Sequence, residues 1–233
     1  MDILVIDQCS NSKSYPDESA VFDATEIGDA GLDELRARDD AVSVPARKLY
    51  EGRQQKYISE AVDSLRADGH TVDRYFISAG FGLVAEREEL PPYNATFAEM
   101  TASEIDSRSA SLEISERTRD AITSSSYDIV FFALGSDYYR ALELSDVLSA
   151  LPADTLGVTF NQEDLADKYE NVISIPARTE QAKEQGTIVV ALKGNYLKNF
   201  ANNLAYDNEP DSLDDVESAC LSEPTSQKDL SDF

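Results

Sequence analysis

Cysteine is scarce in this chain, with two residues in 233. Cys9 and Cys220 lie far apart in unrelated contexts, so neither a disulfide framework nor zinc-ligand spacing is present. Histidine is scarcer still: His70 is the one copy, placed beside the turn signal Asp68-Gly69, far in sequence from Cys9. A Cys–His dyad therefore requires the fold to bring those two together. No apolar run approaches the roughly 20 residues of a membrane span, and Met1-Asp2 runs straight into Ile3-Leu4-Val5-Ile6 with no leader between. A soluble, cytoplasmic protein with no membrane partner is expected. Neither an HExxH pattern nor a DxD-like cluster occurs, so no metal and no cofactor are expected.

Basic residues are also few. Twenty Lys and Arg face 45 Asp and Glu, giving a net charge of −25 and a pI near 4.2. The acids are spread along the chain instead of forming one block, the pattern of a hydrated, halophilic surface that high salt relieves of self-repulsion. In such a chain local cation placement says more about partners than the sum does. Arg47, Lys48, Arg53 and Lys56 fall within ten residues with Glu51 alone among them, against the preference of a helix N-terminus for negative charge. Lys193 and Lys198 form a second, smaller positive island.

What the sequence does contain is the alternation of an α/β fold. Ile3–Ile6, Val72–Ile77, Tyr127–Leu134, Leu156–Phe160 and Val172–Ile175 read as strands, several of them apolar on both faces as in a parallel sheet. Residues 188–192 fit either a sixth strand or the start of the last helix. Residues 14–44 read as an acidic loop with a short helix around 32–38. Apolar spacing from Pro45 to Leu65 reads as one helix ended by Asp68-Gly69. Thr101 with Glu104 forms a capping-box signature, opening a helix that runs, with a break, to about Thr123. One α/β domain with a mainly parallel sheet, flanked by helices, is expected over residues 1–206. Residues 207–233, rich in acids, read as a disordered tail.

Short polar and glycine motifs follow these strands, where ligands of open α/β sheets bind. Cys9-Ser10-Asn11-Ser12-Lys13 ends the first strand, and its backbone, hydroxyls and lysine suit an anion or base. The P-loop glycines are absent. Ser78-Ala79-Gly80-Phe81-Gly82-Leu83 ends the second strand and allows close backbone approach. Tyr93 follows a rigid Pro91-Pro92 and offers a stacking face. Gly135-Ser136-Asp137-Tyr138-Tyr139 ends the third run, Asp137 as an acceptor for a ribose or base edge and Tyr138 or Tyr139 as a second stacking face. The candidate reactive groups are Cys9, Ser10, Lys13 and Asp137. The candidate ligand contacts are Ser12, Arg47, Lys48, Tyr50, Arg53, Ser78, Gly80, Gly82, Tyr93, Gly135, Ser136, Tyr138 and Lys193.

These segments, in this order, resemble the peroxide-stress protein YaaA family. They also resemble a related set of uncharacterised domains, of haloarchaeal type, marked by a Cys-Ser-x-x-Lys loop. The matching residues are Cys9–Lys13, Ala46-Arg47-Lys48-Leu49-Tyr50-Glu51-Gly52, Ser78–Leu83 and Pro92-Tyr93. The resemblance implies a positive cleft, DNA binding and a role in limiting oxidative damage, although no helix-hairpin-helix insertion is evident. The first loop also resembles, more distantly, the Pro-Cys-x-x-x-Lys-Pro-Tyr motif of archaeosine synthases, which modify a deazaguanine base in transfer RNA. Three functions follow as expectations. The first is binding of nucleic acid or a nucleotide, the second an enzyme modifying a nucleobase or nucleotide. The third is a non-catalytic protein that recruits a partner through its acidic tail.

Overall fold

The computed structural model describes residues 1–204 and 210–222. Six strands form the central sheet: β1 (Asp2–Gln8), β2 (Thr71–Ser78), β3 (Gly82–Ala85), β4 (Ile129–Phe132), β5 (Leu156–Phe160) and β6 (Val172–Ile175). Their order is β6-β5-β4-β1-β2-β3. All neighbours are parallel except β2 and β3, which form an antiparallel hairpin. The expected α/β architecture is present, and β3 is the strand that the sequence pattern hid. Ser78 pairs with Gly82 across a three-residue turn, and Gly82 sits at a φ of 76°. Gly82 thus serves the hairpin, where a positive φ favours glycine.

Alternation along the strands feeds two cores. Leu4, Ile6, Val130 and Phe132 face one side. There they meet α1 (Ala24–Arg36), α3 (Ala102–Ser111), α4 (Ile114–Thr123) and α5 (Ser136–Leu142) through Ile27, Ile105, Ile114 and Leu142. Ile3, Val5, Ile129 and Phe131 face the other. They pack on α2 (Arg53–Ala67), α6 (Val189–Leu204) and α7 (Leu213–Leu221) through Ile58, Leu65, Tyr196, Phe200 and Val216.

Three local differences from the sequence expectation have physical causes. The acidic stretch before Pro45 holds a helical segment, α1, that starts earlier than expected because Asp23 and Glu26 form a reciprocal capping box, and that breaks at Gly31, where φ is 72°, before its second piece. The helix expected from Pro45 is broken: Ala46–Leu49 makes one turn, Tyr50 turns inward to 2% exposure, and α2 begins at Arg53. Of the two alternatives for residues 188–192, the start of the last helix is the one present, since α6 begins at Val189. Within the segment expected to be a disordered tail, Leu213–Leu221 is helical, because Ser212 caps it and its Val216 and Cys220 are fully buried against the second core. Residues 207–209 and 223–233 of that tail lie outside the described residues. The Thr101–Glu104 capping box forms as expected, and the helix after it breaks at Glu113, where φ is 52°.

The chain leaves β1 toward β2 on one side and β4 toward β5 on the other. The carboxyl ends of β1 and β4 therefore flank the topological switch point, the usual ligand crevice of open α/β sheets. No helix among the described residues is long and apolar enough to cross a membrane.

Candidate functional site

The switch point is stitched at its floor. Gln54, in the first turn of α2, donates its side-chain amide to Asp7 Oδ1 at 2.9 Å and to the Ala133 carbonyl at 2.8 Å. One residue along β1, Gln8 Oε1 accepts from the Gly135 amide at 2.6 Å. Two polar clusters flank this seam, one beyond each core.

The first gathers around Cys9. Its amide continues the β1–β2 ladder by donating to Ile77 O at 3.0 Å, while its side chain joins the core on the α3–α5 side. Cys9 Sγ lies 3.0 Å from Tyr138 Oη, and only 1% of the residue is exposed. Tyr138 also donates to the Cys9 carbonyl at 3.2 Å and sits 3.4 Å from Thr96 Oγ1, which in turn donates to Asn11 Oδ1 at 2.8 Å. Lys13 reaches the same place from the loop. Its ammonium lies 3.4 Å from the Ala95 carbonyl and 4.6 Å from the centroid of the Tyr93 ring. Burial lowers the Lys13 pKa, while the nearby charges of Cys9 and Glu99 pull it back up.

A chain of hydroxyls completes this cluster, and the direction of its first bond can be deduced. Ser78 Oγ accepts from the amides of Gly80 at 3.2 Å and Phe81 at 3.1 Å. A hydroxyl oxygen has two lone pairs and one proton, so Ser78 must donate to Tyr93 Oη, 2.8 Å away. Tyr93 Oη also lies 2.8 Å from Tyr50 Oη, a bond in which either phenol can donate. Burial pushes the pKa values of Tyr50, Tyr93 and Tyr138 up, each further raised by the neighbouring Cys9. All three stay neutral donors. The first cluster thus presents a thiol, a desolvated amine and a set of buried phenols at the end of β1.

The second cluster lies on the α2–α6 side. Asp7 and Arg74 are both 0% exposed and form a 2.7 Å ion pair. Arg74 also donates to Ser59 Oγ at 2.7 Å and to the Gln55 carbonyl at 3.2 Å. The Gln8 amide adds a 2.8 Å bond to Asp7 Oδ1. Lys193, in α6, points its half-buried amine into the field of Asp7. Desolvation lowers its pKa to about 8 against that attraction.

Of the residues singled out from sequence, Cys9, Lys13, Tyr50, Ser78, Tyr93 and Tyr138 converge here. Tyr93 and Tyr138 do not offer open stacking faces. They are 0% and 4% exposed, packed on Phe81 and Phe97 respectively. Gly80 is required by Tyr93, whose ring lies 2.8 Å from where a Cβ would stand. The Ser10 hydroxyl is spent on the Ser12 carbonyl, while Ser12 is exposed. Ser136 and Asp137 occupy the first turn of α5, with Ser136 exposed and Asp137 half-buried and unpaired among the described residues. Arg47 pairs with Asp63 at 3.0 Å, whereas Lys48, Arg53 and Lys56 are exposed. His70 meets the N-terminal amine at the opposite end of the sheet, so no Cys–His dyad forms. Asp7, Arg74, Gln54 and Thr96 were missed by sequence reading. A lone acid closing an apolar strand, Asp7, was the available signal. No family model, no curated protein and no solved structure matches this chain.

Proposed function

We propose that this protein binds a nucleobase or nucleotide at the carboxyl end of β1 and acts on it through Cys9. The observation that carries this reading is the convergence of Cys9 Sγ, Tyr138 Oη and Lys13 beside the switch point. A buried thiol of purely structural use needs no phenol at 3.0 Å and no desolvated lysine within its field. In the proposed site Cys9 is the nucleophile toward an electrophilic ring carbon, since the thiolate is the reactive form. Lys13 and Tyr138 balance its charge, and the Lys13 ammonium donates to the ring atom that takes up electrons. Access runs through the loop at Asn11 and Ser12, both exposed. The protein is taken to act in a salt-rich cytoplasm, in line with its acidic composition.

A second reading, binding of a nucleic-acid strand with a role in oxidative stress, is favoured by the exposed cations Lys48, Arg53 and Lys56. Arg47, Arg140 and Lys198, by contrast, are tied to Asp63, Asp106 and Glu60, which argues against a continuous phosphate track. Thermal-shift measurements in multimolar KCl separate the two. The panel holds nucleobases, deazaguanines, nucleosides, nucleotides, and single- and double-stranded DNA. Stabilisation by a small base or nucleotide, lost in Lys13→Ala, is the expected result. A response to polymers alone, falling steeply with salt, would replace it by the second reading.

A further inference from the structure

The cluster on the α2–α6 side carries an unbalanced charge. Asp7 is fully engaged: Oδ2 accepts from Arg74, and Oδ1 accepts from Gln54 and the Gln8 amide. Asp7 is thus directly paired with Arg74, and Lys193 feels its field without bonding to it, leaving the cluster of three one positive charge in excess. Its ammonium makes no hydrogen bond or ion pair among the described residues, although the chain holds 45 acids. The neighbouring lysine of the same helix behaves differently, since Lys198 binds Glu60 at 2.8 Å and lies 5.1 Å over the Tyr57 ring.

The placement of Lys193 is built, not incidental. Gly194 seats α6 against α2 so closely that a Cβ there would stand 2.8 Å from Gln54 O and 2.9 Å from Tyr57 Cβ. Gln54 is the same residue that stitches β1 to β4. Lys193 is thus locked beside the switch point, on the opposite flank of β1 from Cys9. A partly desolvated ammonium without a contact partner among the described residues is unfavourable in the unliganded protein, and an anion brought to it offsets that penalty.

We propose that Lys193 anchors a phosphate group, the anionic part of the ligand whose ring faces Cys9. This assignment rests on the nucleotide reading above for its ligand class, but its chemistry is tested without the ring. The probe is inorganic phosphate, titrated into the full chain at constant KCl and followed by NMR of the lysine side-chain amines. Wild type is expected to bind phosphate with the Lys193 resonance shifting most. Lys193→Met should weaken binding at least tenfold, Lys193→Arg should retain part of it, and Lys198→Met should bind as wild type. Folding of Lys193→Met is not in jeopardy, because the substitution removes a desolvated charge. Phosphate binding that survives Lys193→Met, or no binding by wild type, overturns the assignment. Phosphate bound at Lys193 while no unphosphorylated base engages Cys9 leaves the anchor standing and removes the ring reading instead.

Discussion

Removing one oxygen from Tyr93 isolates what the hydroxyl chain contributes. Tyr93→Phe keeps the ring packed on Phe81 but leaves the Ser78 proton without an acceptor and Tyr50 without its partner. Two buried polar groups left unsatisfied cost about 2–4 kcal/mol, read as a lower denaturant midpoint. A neutral substitution would show that the hydroxyl chain contributes nothing to stability. Asp7→Ala is expected to be harsher, about 3–5 kcal/mol, since it strands the buried Arg74. Lys193 makes a prediction in pH. Its folded-state pKa is lowered to about 8 from 10.5, so between those values the unfolded chain binds more protons than the folded one. Stability contributed by this group therefore rises with pH across about 8 to 10.5, by on the order of 1–3 kcal/mol. The difference between wild type and Lys193→Met, measured by urea unfolding at both ends of that window, should show it. At this scale the sequence revealed Cys9, Lys13, Tyr50, Ser78, Tyr93 and Tyr138 because they are chemically distinctive residues at strand ends. It concealed the roles of Tyr93 and Tyr138, since nothing in Pro91-Pro92-Tyr93 says that the ring turns inward.

Among the elements, α7 carries the sharpest expectation. Its acidic composition reads as disorder, yet one capped turn and two apolar side chains suffice to seat it. A chain ending at residue 210 loses the burial of Val216 and Cys220 and the bonds from Asn199 and Asn203 to its carbonyls. A loss of roughly 3–5 kcal/mol is expected from the exposed core face, seen as a lower melting temperature. An unchanged melting temperature would return the segment to the status of a dispensable tail. The strands β1, β2, β4, β5 and β6 were legible because each is a bounded apolar run. β3 was not, because Gly80-Phe81-Gly82 reads equally well as a ligand loop and as a hairpin turn. The interruption at Tyr50–Gly52 was equally hidden, being imposed by the bridge between Lys13 and Tyr50 and by Tyr93, contacts distant in sequence.

For the whole molecule, electrostatics and the site make separate demands. A net charge of −25 repels itself, and raising salt from about 0.1 M to 1 M shortens the screening length from about 10 Å to about 3 Å. The melting temperature should climb over that range, and a salt-independent value would contradict the halophilic reading. The two buried clusters are set apart from this surface, so a ligand bound between them should persist in high salt. The most direct test of that site is alkylation of the native protein by iodoacetamide, read by mass spectrometry at each cysteine. Cys220 is fully buried with its pKa pushed up, and serves as the inert internal control. Selective modification of Cys9, slowed by a nucleobase or nucleotide and not by duplex DNA, is the predicted result. A Cys9 as inert as Cys220, or one that no such ligand protects, would contradict the account.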